Sequence, residues 1–140
     1  MLFDPENAEH ARALTRLSTE IPIWLTTVDT SGQPQTSPVW FWWDGEVFHL
    51  LSMPGTPKVT NMRANPRVSL NLQASETADE DIVIFEGRAE FDPGAPDPAW
   101  YTPYIEKYRS LIEEYGWTPE SMLGEYSIVF HVTPTRVRVP

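Results

Sequence analysis

"QTSPVWFWWDGEVFHLLS" runs from Gln35 to Ser52, and its reading decides the fold. Asp44-Gly45 is a strong hairpin turn, because glycine takes a positive φ without steric cost. The residues on either side are apolar, β-branched and aromatic. They read as two antiparallel strands, Gln35–Trp43 and Glu46–Ser52. Pro38 cannot donate to a central ladder, so it marks an edge, a bulge or a bend. "VWFWW" is apolar on both faces of its strand, where a half-exposed strand would alternate. It should be covered twice, by core on one side and by a ligand or second subunit on the other.

Upstream, "IWLTTV" (Ile23–Val28) reads as a strand and "DTSGQP" as the turn that follows it. Downstream, "RVSLNLQ" alternates cleanly, "IVIFEGRAEF" makes a fifth strand, and "EYSIVFHVTPTRVRV" closes the chain as one or two extended pieces. Helices interrupt this series. Asp4 can cap the first, with Pro5 in its first turn and Ala8, Ala11, Leu14 and Leu17 at helical spacing. Thr56 and Pro57 suit the cap and first residue of a short helix that Asn65-Pro66 ends. A further helix follows Pro103 in "WYTPYIEKYRSLIEEYG". Strands dominate, hairpins join them, and no βαβ alternation appears, so a Rossmann sheet is a poor fit. The prediction is one mainly β domain over residues 1–140, a small antiparallel barrel whose closure hides its strand edges.

The chain carries 20 Asp+Glu against 10 Lys+Arg, a formal charge of -10, which disfavours nucleic-acid partners. Cysteine is absent, which removes disulfides, thiolate nucleophiles and Cys-based metal sites, and fits a cytoplasmic protein. The N-terminus lacks the basic start and apolar run of a signal peptide. No stretch approaches the roughly 18 apolar residues of a membrane span.

Charge is unevenly spread. No acidic residue occurs between Glu46 and Glu76, while Lys58, Arg63 and Arg67 all lie in that window. Ser52 ends a strand and offers a hydroxyl. Gly55 lets backbone approach a ligand closely. Thr56 adds a second hydroxyl, and the helix then presents unpaired N–H groups and the positive end of its dipole, with Lys58 in its first turn. Such a start favours an anion, above all a phosphate. Asn61, three residues on, shares the face of Lys58, whereas Arg63 lies about 140° round the helix. The alternative is an ordinary Gly/Pro connector with a solvated lysine. Neither the P-loop pattern nor the GxGxxG dinucleotide fingerprint is present.

Four pieces together resemble the split-barrel flavin-binding superfamily typified by pyridoxamine 5'-phosphate oxidase. They are "WLTTVDTSGQPQTSPVWFWWDGEVFHLLS", "GTPKVTNMRANPRVSLNL", "IVIFEGRAEF" and "TPTRVRV". Within that group the chain is most similar to small actinobacterial deazaflavin-dependent oxidoreductases. The resemblance implies a six-stranded antiparallel split barrel of the FMN-binding type, with an N-terminal helix and two or three inserted helices. It implies a homodimer with two cofactor sites at the interface. The cofactor would be the deazaflavin coenzyme F-420, preferred, or FMN. Thr36, Ser37, Pro38, Val39, Trp40 and Phe41 would run beside its ring through backbone atoms, and Ser52, Thr56, Lys58 and Asn61 would face its ribityl phosphate. Pyridoxamine phosphate oxidases carry an Arg-Lys pair where this chain has Pro57-Lys58, and "PTRVRVP" lacks their C-terminal arginine motif. Vitamin B6 oxidation is therefore not expected.

The resemblance implies an oxidoreductase that passes hydride between such a cofactor and a small organic molecule. The alternative is a flavin or haem carrier or sensor of the same fold. The cofactor brings its own chemistry, so no dedicated acid or base is required. His10, His49 and His131 are dispersed and read as satisfied residues, not as metal ligands. No GxSxG elbow supports a hydrolase. Of Trp40, Trp42 and Trp43, alternation lets only one face meet a ring. Trp117 and Tyr126 could reach a partner's site.

Overall fold

The hairpin at Asp44-Gly45 forms as expected in the computed structural model, which describes residues 2–140. In chain order the elements are α1 (Ala8–Thr19), β1 (Pro22–Val28), β2 (Pro34–Trp40), β3 (Trp42–Trp43) and β4 (Phe48–Ser52), then α2 (Pro57–Ala64), β5 (Arg67–Asn71) and β6 (Ile84–Asp92), and last α3 (Pro98–Glu114), α4 (Pro119–Glu125) and β7 (Ile128–Arg138). The strands form one antiparallel sheet in the order β2-β1-β5-β6-β7-β4-β3. Its two edges, β2 and β3, follow one another in the chain, so the sheet curls back on itself as a split barrel does.

Seven strands stand where six were expected. The difference lies at Phe41, which leaves the ladder and divides "QTSPVWFWW" in two. Its backbone is taken by a side chain instead. Tyr108 Oη accepts from Phe41 N–H at 2.9 Å and donates to the carbonyl of Ile21 at 2.7 Å, with the Phe41 carbonyl 3.1 Å away. Pro38 sits on edge strand β2, where its missing N–H costs nothing in the ladder.

Alternation persists across the break. Val39, Phe41 and Trp43 enter the barrel core with Phe48, Leu50 and Phe85. Trp40 and Trp42 face the other way, into a second cluster built on Trp100, Tyr104, Tyr108 and Met122. The outer cover expected from a ligand or subunit is thus supplied largely by the chain's own α3 and α4. Burying these large rings contributes about 1.5–3 kcal/mol each.

Helix boundaries differ from the sequence expectation for identifiable reasons. Helix α1 is capped by Asn7, whose side chain accepts from Glu9 N–H and His10 N–H, and not by Asp4. Asp4 caps a preceding turn, accepting from Glu6 N–H at 3.0 Å. Helix α3 starts before Pro103, at an Asp97 cap whose side chain accepts from Ala99 N–H, and carries Pro103 inside it. That proline forfeits one backbone bond, which the buried face of Trp100, Tyr104, Ile105, Tyr108 and Ile112 outweighs. Helix α4 completes the three inserted helices, but the sequence reading did not locate it, although Thr118 and Ser121 form a capping box with Pro119 in the first turn. The chain's last extended segment is one strand, β7, with a register shift opposite Glu86 and Gly87.

Gly87 makes that shift possible. A Cβ there would lie 2.8 Å from Val132 Cγ1 and 2.9 Å from the Thr133 carbonyl oxygen. Gly87→Ala should therefore destabilise the barrel by about 1–3 kcal/mol. Thermal and urea unfolding measure this; an unchanged midpoint would mean that β7 can move away freely.

Candidate functional site

A cleft of about 610 Å³ opens where β2, β4 and the start of α2 meet α3 and α4. Its size suits a cofactor or small ligand. One end is polar. Ser52 Oγ, fully buried at the end of β4, lies 3.1 Å from Thr56 Oγ1. Thr56 holds the N-cap position of α2, yet its side chain makes no cap hydrogen bond. The first N–H groups of α2 therefore keep their donors and the positive end of the dipole. Lys58 lines the cleft from the first turn of that helix. It is half-buried, and burial holds its ammonium below the usual lysine range. Among the described residues it has no ion pair and no hydrogen bond.

The other end is aromatic. Trp40 projects from the end of β2 and stacks on Tyr108 with ring centroids 4.4 Å apart and planes 1° apart. Trp117 and Tyr115 stand 6.4 Å from Trp40, and Tyr126 lies 6.0 Å from Trp117. Tyr104 borders the same space, and burial pushes its hydroxyl pKa well up, so it stays neutral. The cleft is thus amphipathic: hydroxyls, a bare cation and a helix start face a planar apolar wall.

Six of the ten expected site residues line it: Pro38, Val39, Trp40, Ser52, Thr56 and Lys58, while Phe41 turns into the barrel core. Thr36 and Ser37 lie farther along β2, where Thr36 Oγ1 is 2.7 Å from Thr26 Oγ1. Asn61 points inward. Its amide nitrogen donates to Thr27 Oγ1 at 3.0 Å and Gln35 Oε1 at 2.8 Å, and the residue is only 5% exposed. A three-residue step leaves about 60° between side chains, enough to send Lys58 to the cleft and Asn61 to the core. Arg63 faces elsewhere as expected, lying 4.2 Å over the Phe91 ring.

Sequence reasoning missed Tyr104, Tyr115 and Met122, which come from α3, its C-terminal cap and α4, far along the chain from the polar end. Trp117 and Tyr126, which the sequence reading allowed to reach a partner's site, line the chain's own cleft. His49 and His131 lie opposite one another on β4 and β7, near Asp44 (2.7 Å) and Asp92 (2.9 Å), away from the cleft. Among the described residues no cluster of histidine and acidic groups could hold a metal ion.

The model of the pyridoxamine 5'-phosphate oxidase family matches residues 9–139. The chain belongs to that family. Comparison with proteins of curated function finds no match. Among solved structures, the oxidase-family chain is similar to an F-420 reductase, with 24% identity and TM-score 0.67 over 98% of this chain and 100% of that one. It is similar to a pyridoxamine 5'-phosphate oxidase-like protein from Listeria innocua, with 20% identity and TM-score 0.65 over 95% and 98% of the two chains. It is also similar to the haem storage protein HutZ from Vibrio cholerae, with 20% identity and TM-score 0.64 over 99% and 95%. At these identities the likenesses establish the shared split-barrel fold. No helix among the described residues of this family member is long and apolar enough to cross a membrane.

Behind the aromatic wall lies a second perturbed lysine. Lys107 Nζ donates to the Phe41 carbonyl at 3.3 Å and stands 3.7 Å over the Phe41 ring. Burial pushes its pKa down to about 8, against the opposing pull of Glu20. In the unfolded chain a lysine titrates near 10.4, roughly. Between those values only the unfolded chain binds this proton, so stability should rise with pH in that window. Thermal midpoints between about pH 8 and 9.5 should climb in the native protein relative to Lys107→Met. Parallel curves would show that Lys107 titrates normally.

Proposed function

We propose that this family member is an oxidoreductase that holds a flavin-type cofactor in the cleft and passes hydride to or from a small organic substrate. The observation that carries the reading is Lys58, a half-buried cation without a counter-charge in a chain of net charge -10. A phosphate there would relieve the desolvated ammonium and take up the idle donors of the α2 start. The residues present fit a ribityl phosphate next to a planar ring. FMN and the deazaflavin coenzyme F-420 both carry that pair of features, and the subfamily resemblance favours the deazaflavin.

In this reading Lys58, Thr56 and Ser52 bind the phosphate, the β2 edge from Pro38 to Trp40 supports the ring, and the helical wall excludes water. When bound, the cofactor supplies the hydride chemistry on its own ring. The chain needs no acid or base of its own, which agrees with histidines kept outside the cleft. A small organic substrate would share the aromatic end.

The homodimer belongs to the same proposal. Ile21, Met53 and Tyr115 are exposed at 40%, 44% and 58%; Met53 and Tyr115 line the cleft, and Ile21 adjoins the lining residue Pro22. An apolar rim of this kind is what a second copy would cover. Vitamin B6 oxidation stays outside the proposal, because Pro57 replaces the arginine of the oxidases' Arg-Lys pair.

Titration of apoprotein with coenzyme F-420 and with FMN, followed by fluorescence, should show micromolar or tighter binding of one of them. Lys58→Ala should weaken it roughly ten- to a hundredfold, more at low salt. Arg88→Ala, on the outer face of β6, should change little. An unchanged affinity in the Lys58 variant would place the phosphate elsewhere. A tightly held cofactor that no quinone or enone reoxidises would favour the carrier.

A further inference from the structure

Phe41 is fully buried and has no strand partner, so its peptide groups must be satisfied by something other than the sheet. Two neighbours on α3 do this. Tyr108 takes the Phe41 N–H at 2.9 Å and also reaches the carbonyl of Ile21 at 2.7 Å, one residue before β1. Lys107 covers the Phe41 carbonyl at 3.3 Å and the ring at 3.7 Å. Pro22 and Trp40 are register partners across β1 and β2, so this grip closes at the very point from which Trp40 projects. The Tyr108 ring then lies parallel to the Trp40 indole at 4.4 Å. One fully buried side chain thus constrains both the backbone next to Trp40 and the plane of its ring.

We infer that Tyr108 and Lys107 are positioning residues of the cleft: by clamping the Phe41 peptide they hold Trp40 as a rigid wall for a planar ring, though neither lines the cleft themselves. The inference rests on the ring-binding reading of the cleft. A wall fixed before binding spares the ligand the cost of ordering it. Loss of the Tyr108 hydroxyl keeps the stacking partner but leaves the buried Phe41 N–H bare. The indole should then sample several orientations while the barrel remains closed.

Fluorine NMR of protein labelled with 5-fluorotryptophan tests this, with Trp40→Phe used to assign the Trp40 line. In Tyr108→Phe and in Lys107→Met the Trp40 line should shift or broaden, and the other five of the six tryptophans should hold their positions. Lys107→Arg should restore it. Affinity for FMN or coenzyme F-420 should fall about tenfold in Tyr108→Phe. A folded Tyr108→Phe protein with the native Trp40 line overturns the inference. Should that variant not fold, an unmoved Trp40 line in Lys107→Met overturns it equally. Native protein that binds neither cofactor defeats the functional proposal alone, since the fluorine spectrum still reads the clamp.

Discussion

A tyrosine hydroxyl bonded to a buried peptide outside the sheet ties the helical layer of this molecule to its barrel. Between Trp40 and Trp42 the chain must pass from one edge of the sheet to the other. No ladder can continue through such a turn, and the peptide there is buried. Tyr108 supplies the missing partner from 67 residues away. Because its hydroxyl also binds the Ile21 carbonyl, α3 is tied to the start of β1 as well as to the break. The barrel, the helical layer over it and the cleft between them all meet at that one side chain.

The cleft inherits its character from this construction. A strand that alternates between two apolar layers places Trp40 in the outer one, where α3 and α4 bring further rings to it. The opposite end is polar because β4 stops at Ser52 and α2 begins at Thr56 without a side-chain cap. Lys58 then stands half out of water with nothing to neutralise it. Such a group is costly unless a ligand completes it. Lys107 is also desolvated, but it rests on the Phe41 carbonyl and ring, whereas pairs such as Arg12 and Asp81 at 2.7 Å neutralise one another. The contrast is local, so the α2 start stands out against a chain whose overall charge is strongly negative.

Much of this was legible in the residues. The Asp44-Gly45 turn, the edge position of Pro38 and the Thr56-Pro57 helix start all read correctly, because each rests on local backbone chemistry. The division at Phe41 was not legible. Nothing in "VWFWW" says that its central peptide will find a side chain rather than a strand. Asn61 misled for a related reason: helical spacing groups it with Lys58, but a buried amide follows its partners, Thr27 and Gln35. Helix α3 ran through a proline that looked like a start, since tertiary burial outweighed one lost hydrogen bond.

The sequence by itself determined the mainly β class, the hairpins, the Thr56-Pro57 helix start and the family resemblance, because turns, caps and alternation act over a few residues. Only the tertiary structure decided that the outer face of Trp40 is roofed by the chain's own helices, and that Tyr104, Tyr115, Trp117 and Tyr126 share a cleft with Lys58. Those contacts join segments 40 to 80 residues apart, roughly, and depend on packing of whole elements, which no local pattern encodes.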